Sequence, residues 1–200
     1  ALDSTCADCH HALAMALQRT GRDSAAATHY RRALHIDSGR WSTHNNLALL
    51  LGSRGIDDSA EAHFAEAVRL NPSSHEPFFN FGVYLAGRGQ HDRAAEYFSE
   101  AIRRLPHHGL AYLQRGIARL RAGRTDSAIA DLRKARTWKP DDARVHRELA
   151  VAFARLNECD SAGACISESR RCAPDSTLLS AAMAELEACA DHLPDSSAAR

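Results

Sequence analysis

The apolar positions of this chain recur at a fixed interval. Shifted against itself by 34 residues, the sequence repeats the same residue classes in five blocks: 7–40, 41–74, 75–108, 109–142 and 143–176. The eighth position of each block is small (Ala14, Ala48, Gly82, Gly116, Ala150), which lets two helices approach closely. The twentieth is always alanine (Ala26, Ala60, Ala94, Ala128, Ala162), and the twenty-fourth is bulky and apolar (Tyr30, Phe64, Phe98, Leu132, Ile166). The twenty-seventh is small again (Ala33, Ala67, Ala101, Ala135, Ser169), so the three positions form the packing stripe of a second helix. Ala and Leu are plentiful and β-branched residues form no alternating runs, so the elements are helices. Gly21, Gly55, Gly89 and Gly123 predict the ends of the first helices. Asp23, Asp58, Asp92, Asp126 and Asp160 fall where the N-caps of the second helices belong. Ser38, Pro72, Pro106, Pro140 and Pro174 mark the passage from one block to the next. The fifth block departs most, with Asn157 in place of glycine and Ser169 in place of alanine. Beyond it, an amphipathic segment at about 177–193 carries Leu179, Met183 and Leu186 on one stripe and predicts a capping helix.

This pattern closely resembles the tetratricopeptide repeat family, over about 170 of the 200 residues. The resemblance implies an all-α fold: a single-domain α-solenoid of five helix-turn-helix repeats and a capping helix, with a concave groove along a right-handed superhelix. It also implies which residues face the groove. Repeats three and four place Phe79, Val83, Leu110, Leu113, Ile117 and Leu120 there, with Arg121, Arg144, Arg147 and Arg155 at the rim. The competing reading of the same apolar residues is burial between neighbouring repeats. Asn46, Asn80 and Gln114 share the sixth position, where family members hydrogen-bond the backbone of an extended peptide. The lysine and asparagine set with which the family clamps a terminal carboxylate is not reproduced.

Composition narrows the function classes. The apolar share of 44% is enough for a continuous core, and 25 basic residues balance 25 acidic ones. Lys134 and Lys139 are the only lysines, and a neutral chain without a basic stripe carries no nucleic-acid signature. No apolar stretch approaches the roughly 18 residues of a membrane span. The opening Ala-Leu-Asp has the look of a cleavage product, which points to export. No catalytic constellation is visible, and the acidic residues read as caps or partners of arginine.

One motif carries specific chemistry. Cys6-Ala7-Asp8-Cys9-His10 has the spacing at which haem c is attached, with two thiols to form thioethers and the next residue to ligate the iron. On a helix all three fall on one face. This predicts one covalent haem c on Cys6 and Cys9, with His10 as proximal iron ligand through neutral imidazole. Three other readings stay open. Zinc on Cys6, Cys9, His10 and His11 lacks a second closely spaced cysteine pair, and the adjacent histidines point about 100° apart. A redox dithiol lacks the βαβ setting of such motifs. A disulfide between Cys6 and Cys9, or two inert thiols, is the purely structural possibility.

A haem on His10 raises the question of its sixth ligand. Met15 is on the same helix and cannot cross the haem plane. His44, at the fourth position of its block as His10 is of the first, is the distal candidate within the chain, although first helices about 10 Å apart leave little room for a porphyrin. His29 and His35, or His107, His108 or His192 from a neighbouring subunit, are the other options.

The remaining cysteines, Cys159, Cys165, Cys172 and Cys189, lie in the fifth block and the cap. An antiparallel arrangement favours Cys165–Cys189, with Cys159 as the competing partner and Cys172 left over. Cysteine usage fits an oxidising, periplasmic or extracellular compartment. The resulting expectation is an exported repeat protein with one haem c that serves electron transfer, with a redox partner or self-assembly into an extracellular haem-bearing polymer. The alternative is a haem-free scaffold that binds a partner protein or peptide in its groove.

Overall fold

The computed structural model describes residues 6–173 and 180–191. Among them are eleven α-helices and no strand: α1 (Ala7–Arg19), α2 (Asp23–Ile36), α3 (Trp41–Ser53), α4 (Asp57–Leu70), α5 (Glu76–Gly87), α6 (His91–Arg104), α7 (Gly109–Arg121), α8 (Thr125–Trp138), α9 (Ala143–Arg155), α10 (Cys159–Cys172) and α11 (Ser180–Asp191). None is long and apolar enough to cross a membrane. The expected cap is α11; Thr177, Leu179, His192 and Leu193 of that prediction, and Pro174, lie outside the described residues.

Helix ends follow the predicted punctuation, with one correction. Gly21, Gly55, Gly89 and Gly123 adopt φ of +72° to +76°, and Asn157 takes the same left-handed turn at +59°. In the first turn Arg22 N donates to Leu17 O at 2.9 Å, and in the fifth Glu158 N donates to Phe153 O at 3.0 Å, so one backbone device closes both. The N-caps that follow are Arg22, Ile56, Gln90, Arg124 and Glu158, none with a capping side chain. The five aspartates sit inside the first helical turn instead. Their carboxylates there face the positive end of the helix dipole rather than accept a capping hydrogen bond. Pro72, Pro106 and Pro140 each follow a helix C-cap directly.

The chain, expected to form one array, divides by internal contacts into two compact units, Ala1–Gly89 and Gln90–Arg200. In the first, α1 packs on α2 and α3 on α4, while α2 meets α3 and α5 meets both α3 and α4. Its core is built on Ala14, Leu17, Tyr30, Leu47, Leu51 and Ala60. In the second, α7 packs on α6 and α8, and α9 is enclosed by α8, α10 and α11. Its core runs through Leu113, Leu120, Leu132, Leu149, Ile166 and Cys189. Leu113 and Leu120 were candidates for the groove, but at 0% and 2% exposure they are core residues.

The fourth position of the first helix is also buried, and it is polar where it need not be. His10 and His44 are only 5% and 9% exposed, and each meets the histidine at the twenty-third position of its own repeat. The Nδ1 atoms are 2.9 Å apart in His10–His29 and again in His44–His63. His44 Nε2 lies 3.2 Å from the carbonyl of Ser38 and must donate to it. Its Nδ1 is then an acceptor, so the shared proton belongs to His63. Burial pushes the pKa of His29, His44 and His63 below the ordinary 6.5, with like charge between the partners adding to the effect on His29 and His63.

Two predictions follow from this packing. A Cβ on Gly116 would come within 2.9 Å of Leu132 Cγ and 3.4 Å of the Ala128 carbonyl. Gly116→Ala should therefore cost about 1–3 kcal/mol in urea unfolding, although alanine fills the same position in three other repeats. The histidines have folded pKa values below their unfolded value, so the unfolded chain takes up protons first. Metal-free protein should be most stable above about pH 7 and lose stability as the pH falls through 6.5. Thermal melts at pH 7.5 and 5.5 read this. The third repeat carries Phe78 and Tyr97 at the two positions, and the double substitution His44→Phe, His63→Tyr should reduce the pH dependence.

Candidate functional site

On a 3.6-residue helix, the residue after the buried eighth position turns outward. Position nine is apolar in every repeat, and in the first unit it is exposed: Met15 at 44%, Leu49 at 37% and Val83 at 39%. Ala14 and Ala48, one residue earlier, are fully covered. Val83 thus lies where the sequence placed it, and Phe79, Leu110 and Ile117 are half-buried. Met15 and Leu49 were not predicted; the recurrence at position nine was the available signal.

Two hollows open on this face. One of about 310 Å³ is lined by Met15, Gln18, Arg19, Tyr30 and Asn46. The other, about 290 Å³, is lined by Leu49, Gly52, Ser53, Val83, Tyr84 and Arg88 together with Phe64 and Gly87. The Tyr84 ring lies against Gly52, where a Cβ would stand 2.9 Å from the ring edge. Its hydroxyl donates to the Asp57 carbonyl at 3.2 Å. Arg88 lies over the ring at 5.4 Å, donates to Gly52 O at 2.7 Å and pairs with Asp57 at 2.5 Å. That wall is held in place before any ligand arrives.

Two of the three amides expected to read a peptide backbone, Asn46 and Asn80, are joined through Asn45, which the sequence did not single out; Gln114 is half-buried in the second unit. Asn80 Nδ2 donates to Asn45 Oδ1 at 3.1 Å, and Asn45 Nδ2 donates to Asn46 Oδ1 at 3.3 Å. Asn46 hydrogen-bonds the Tyr30 hydroxyl, which donates to Gln18 Oε1 at 3.0 Å. The chain of bonds links α5, α3, α2 and α1. It leaves each end amide with hydrogen-bonding capacity and fixes the middle ones. Three of the four rim arginines of the second unit are likewise occupied, Arg144 by Asp142 at 2.7 Å, Arg147 by Glu148 at 2.6 Å and Arg155 by the Leu120 carbonyl at 3.0 Å, while Arg121 is exposed.

The N-terminal motif takes a different form from the one haem attachment needs. Cys6 caps α1, Cys9 lies in its first turn, and the two sulfurs are joined as a disulfide across a Cα separation of 5.2 Å. His10 Nδ1 faces His29, whose ring stacks on it at 5.1 Å; His10 Nε2 is buried and has no hydrogen-bond partner. His44 has both nitrogens engaged, by His63 and Ser38, and offers none to an iron in this arrangement. His11 Nδ1 is 2.8 Å from Thr43 Oγ1, which separates it from the zinc set. Among the described residues no three His, Cys, Asp or Glu side chains converge on a metal position.

The second disulfide corrects the favoured pairing. Cys159, not Cys165, bonds Cys189, with Cα atoms 5.9 Å apart. Cys159 opens α10 on its outer side near the end of α11, whereas Cys165 is at the twenty-third position, turned into the repeat and 8% exposed. Cys165 and Cys172 are free, and burial raises the Cys165 thiol pKa.

Comparison with known proteins agrees with the helix pairs. No curated protein sequence matches the chain. Among solved structures, YrrB, described as a TPR protein with an unusual peptide-binding site, superposes with a TM-score of 0.76 at 19% identity, covering 91% of this chain and 94% of that one. PilW, a type IV pilus biogenesis factor, gives 0.77 at 20% identity, covering 92% and 89%. MamA from Desulfovibrio magneticus RS-1 gives 0.79 at 16% identity, covering 88% and 99%. At such identities the likeness is one of fold. Sequence patterns of the tetratricopeptide repeat match residues 11–75 and 79–138, and another matches 119–186. With those matches spanning most of the described helices, each pair closed by the same left-handed turn, the chain belongs to the tetratricopeptide repeat family.

Proposed function

We propose that this protein is a binding scaffold that takes an extended segment of a partner protein across the first-helix face of its first unit. The observation that carries this reading is the exposed apolar row Met15, Leu49 and Val83 beside two pre-formed hollows. YrrB's description as a peptide-binding protein of the same fold supports it.

The spacing of the row suggests the form of the ligand. Packed helices lie about 8–10 Å apart. A polyproline II strand advances about 3.1 Å per residue with three residues per turn, so every third side chain returns to one face after about 9.3 Å. Apolar side chains at every third residue of such a strand match successive position-nine residues. A β-strand, with its period of two, does not present residues i and i+3 on one face. The two disulfides support an oxidising, exported location.

A second reading keeps one covalent haem c on Cys6, Cys9 and His10, for electron transfer alone or within a self-assembled polymer. It is favoured by the Cys-x-x-Cys-His spacing and the unpartnered His10 Nε2. The bound group would supply one-electron chemistry, and this chain would supply two thiols and an imidazole. It requires the Cys6–Cys9 bond to be reduced and the buried His10 edge to be uncovered.

Fluorescence polarisation with a labelled peptide carrying Leu at every third residue of a proline-rich frame tests the first reading. Binding should weaken at least about tenfold in Leu49→Asp, which places a carboxylate on the apolar row. No binding, or equal binding by the variant, would overturn the assignment. For the second, a pyridine haemochrome spectrum of protein from its native source should show no c-type bands, and the 6–9 peptide should carry a disulfide mass. A c-type spectrum with covalently added haem would reverse the order of the two readings.

A further inference from the structure

The paired histidines lie away from the position-nine row and are unused by either binding reading in full. The geometry points to a transition-metal site at His44 and His63, for a borderline divalent cation of the Zn²⁺ or Cu²⁺ class, with His10 and His29 forming a second copy one repeat earlier.

Two Nδ1 atoms 2.9 Å apart have room for one proton between them. An ion bound at about 2.0–2.1 Å to each nitrogen in tetrahedral geometry holds them about 3.3 Å apart. The nitrogens need to separate by about 0.4 Å, and because the centroid distance of 5.1 Å puts both ring axes nearly along the line between the nitrogens, each ring must also tilt by about 35° for its lone pair to meet a tetrahedral ion. His44 is already set as a ligand. Its Nε2–H donates to the Ser38 carbonyl at 3.2 Å, which fixes the tautomer and aims the Nδ1 lone pair at His63. Metal-binding histidines are oriented by the same kind of second hydrogen bond. His63 changes tautomer, losing its Nδ1 proton to solvent and gaining one from solvent at Nε2, so that its Nδ1 lone pair is free for the ion and both imidazoles stay neutral.

The charges around the pair are mixed. Glu66, one turn along α4 from His63, acts favourably on both rings, while Arg69 opposes at His44 and Arg31 at His63. Arg69 holds the Glu66 carboxylate at 2.6 Å, so the carboxylate is close by without being a ligand. With no third ligating side chain converging among the described residues, the ion keeps open positions for water or an external donor. Two imidazoles select Zn²⁺, Cu²⁺ or Ni²⁺ over the oxygen-preferring Mg²⁺ and Ca²⁺.

Recurrence is the second support. His10–His29 has the same 2.9 Å Nδ1 separation and the same 5.1 Å between ring centroids as His44–His63, and both pairs span 19 residues, although His10 Nε2 has no carbonyl partner to fix its tautomer. The other repeats put Phe78 and Tyr97, Tyr112 and Asp131, and His146 and Cys165 at these two positions. Helix packing alone therefore does not demand histidine there.

The test is calorimetric titration of chelator-treated, disulfide-intact protein with ZnCl₂, alongside histidine ¹⁵N NMR of the wild type. Two ions should bind per chain, with one lost in His63→Gln and both in the His29→Gln, His63→Gln double variant; His35→Gln should retain both, and MgCl₂ should give no binding. In the spectrum Zn²⁺ should move the Nδ1 resonances of His44 and His63 and leave His44 Nε2 protonated. Unchanged stoichiometry in the folded double variant, or Nδ1 resonances that do not move at saturating Zn²⁺, would overturn the site. The NMR arm uses only wild-type protein, so a variant that fails to fold does not decide the question.

Discussion

The close approach of two helices at the eighth position is the constraint on which the rest depends. Ala14, Ala48 and Ala150 are fully covered, and in the fourth repeat even a methyl group is excluded by Leu132. Once the pair is that close, the side chains on either side of the contact have defined partners. The bulky residue at position twenty-four is fully buried, as with Tyr30, Phe64, Phe98 and Leu132 at 0% exposure, and in the fourth repeat Leu132 lies directly against Gly116. In the first unit position nine, one step past the contact, turns outward, whereas Val151 at the same position of the fifth repeat is buried. The exposed row and the buried stripe are therefore two consequences of one packing distance.

The same geometry brings position four against position twenty-three, and here the repeats diverge. The first two place histidine pairs there, and the fourth uses the site for charge. Asp131, 3% exposed, is held by Arg115 at 2.6 and 2.9 Å and by Arg119 at 2.7 Å, with Arg115 also donating to Ser99 at 3.0 Å. A buried carboxylate with three charged hydrogen bonds is satisfied, yet removing either arginine would leave it costly to bury. The apolar contacts are shared by the repeats; this polar position is where they differ in chemistry.

Much of the fold was legible because a 34-residue period repeats its errors and its signals alike. Five alanines at position twenty and four glycines at the turns mark nearly every helix in the sequence itself. What escaped were contacts that depend on which side of a helix faces inward. Leu113 and Leu120 look the same as groove residues in a sequence, and only the neighbouring helix decides that they are core. Cys159 and Cys165 are six residues apart, and the disulfide chose the one on the outer side of α10. The aspartates were misplaced by a residue or two because a left-handed glycine turn delivers the chain to the helix without a side-chain cap. The histidine pairs were missed for a simpler reason: a spacing of 19 is not a helical period, and pairing appears only when two antiparallel helices are aligned.

The fifth repeat shows what the paired histidine contributes. His146 Nε2 sits 2.6 Å from the Pro140 carbonyl, repeating the contact between His44 and Ser38, so its Nδ1 is again an acceptor. In the second repeat His63 fills that lone pair. In the fifth, position twenty-three is Cys165, and His146 Nδ1 is buried without a partner. An unsatisfied buried acceptor costs about 1–3 kcal/mol. His63 thus relieves a cost that the Ser38 contact imposes on His44, which is reason enough for that pair to exist in an unliganded chain. The backbone contact with Ser38 also fixes the direction in which His44 Nδ1 faces, independently of its partner.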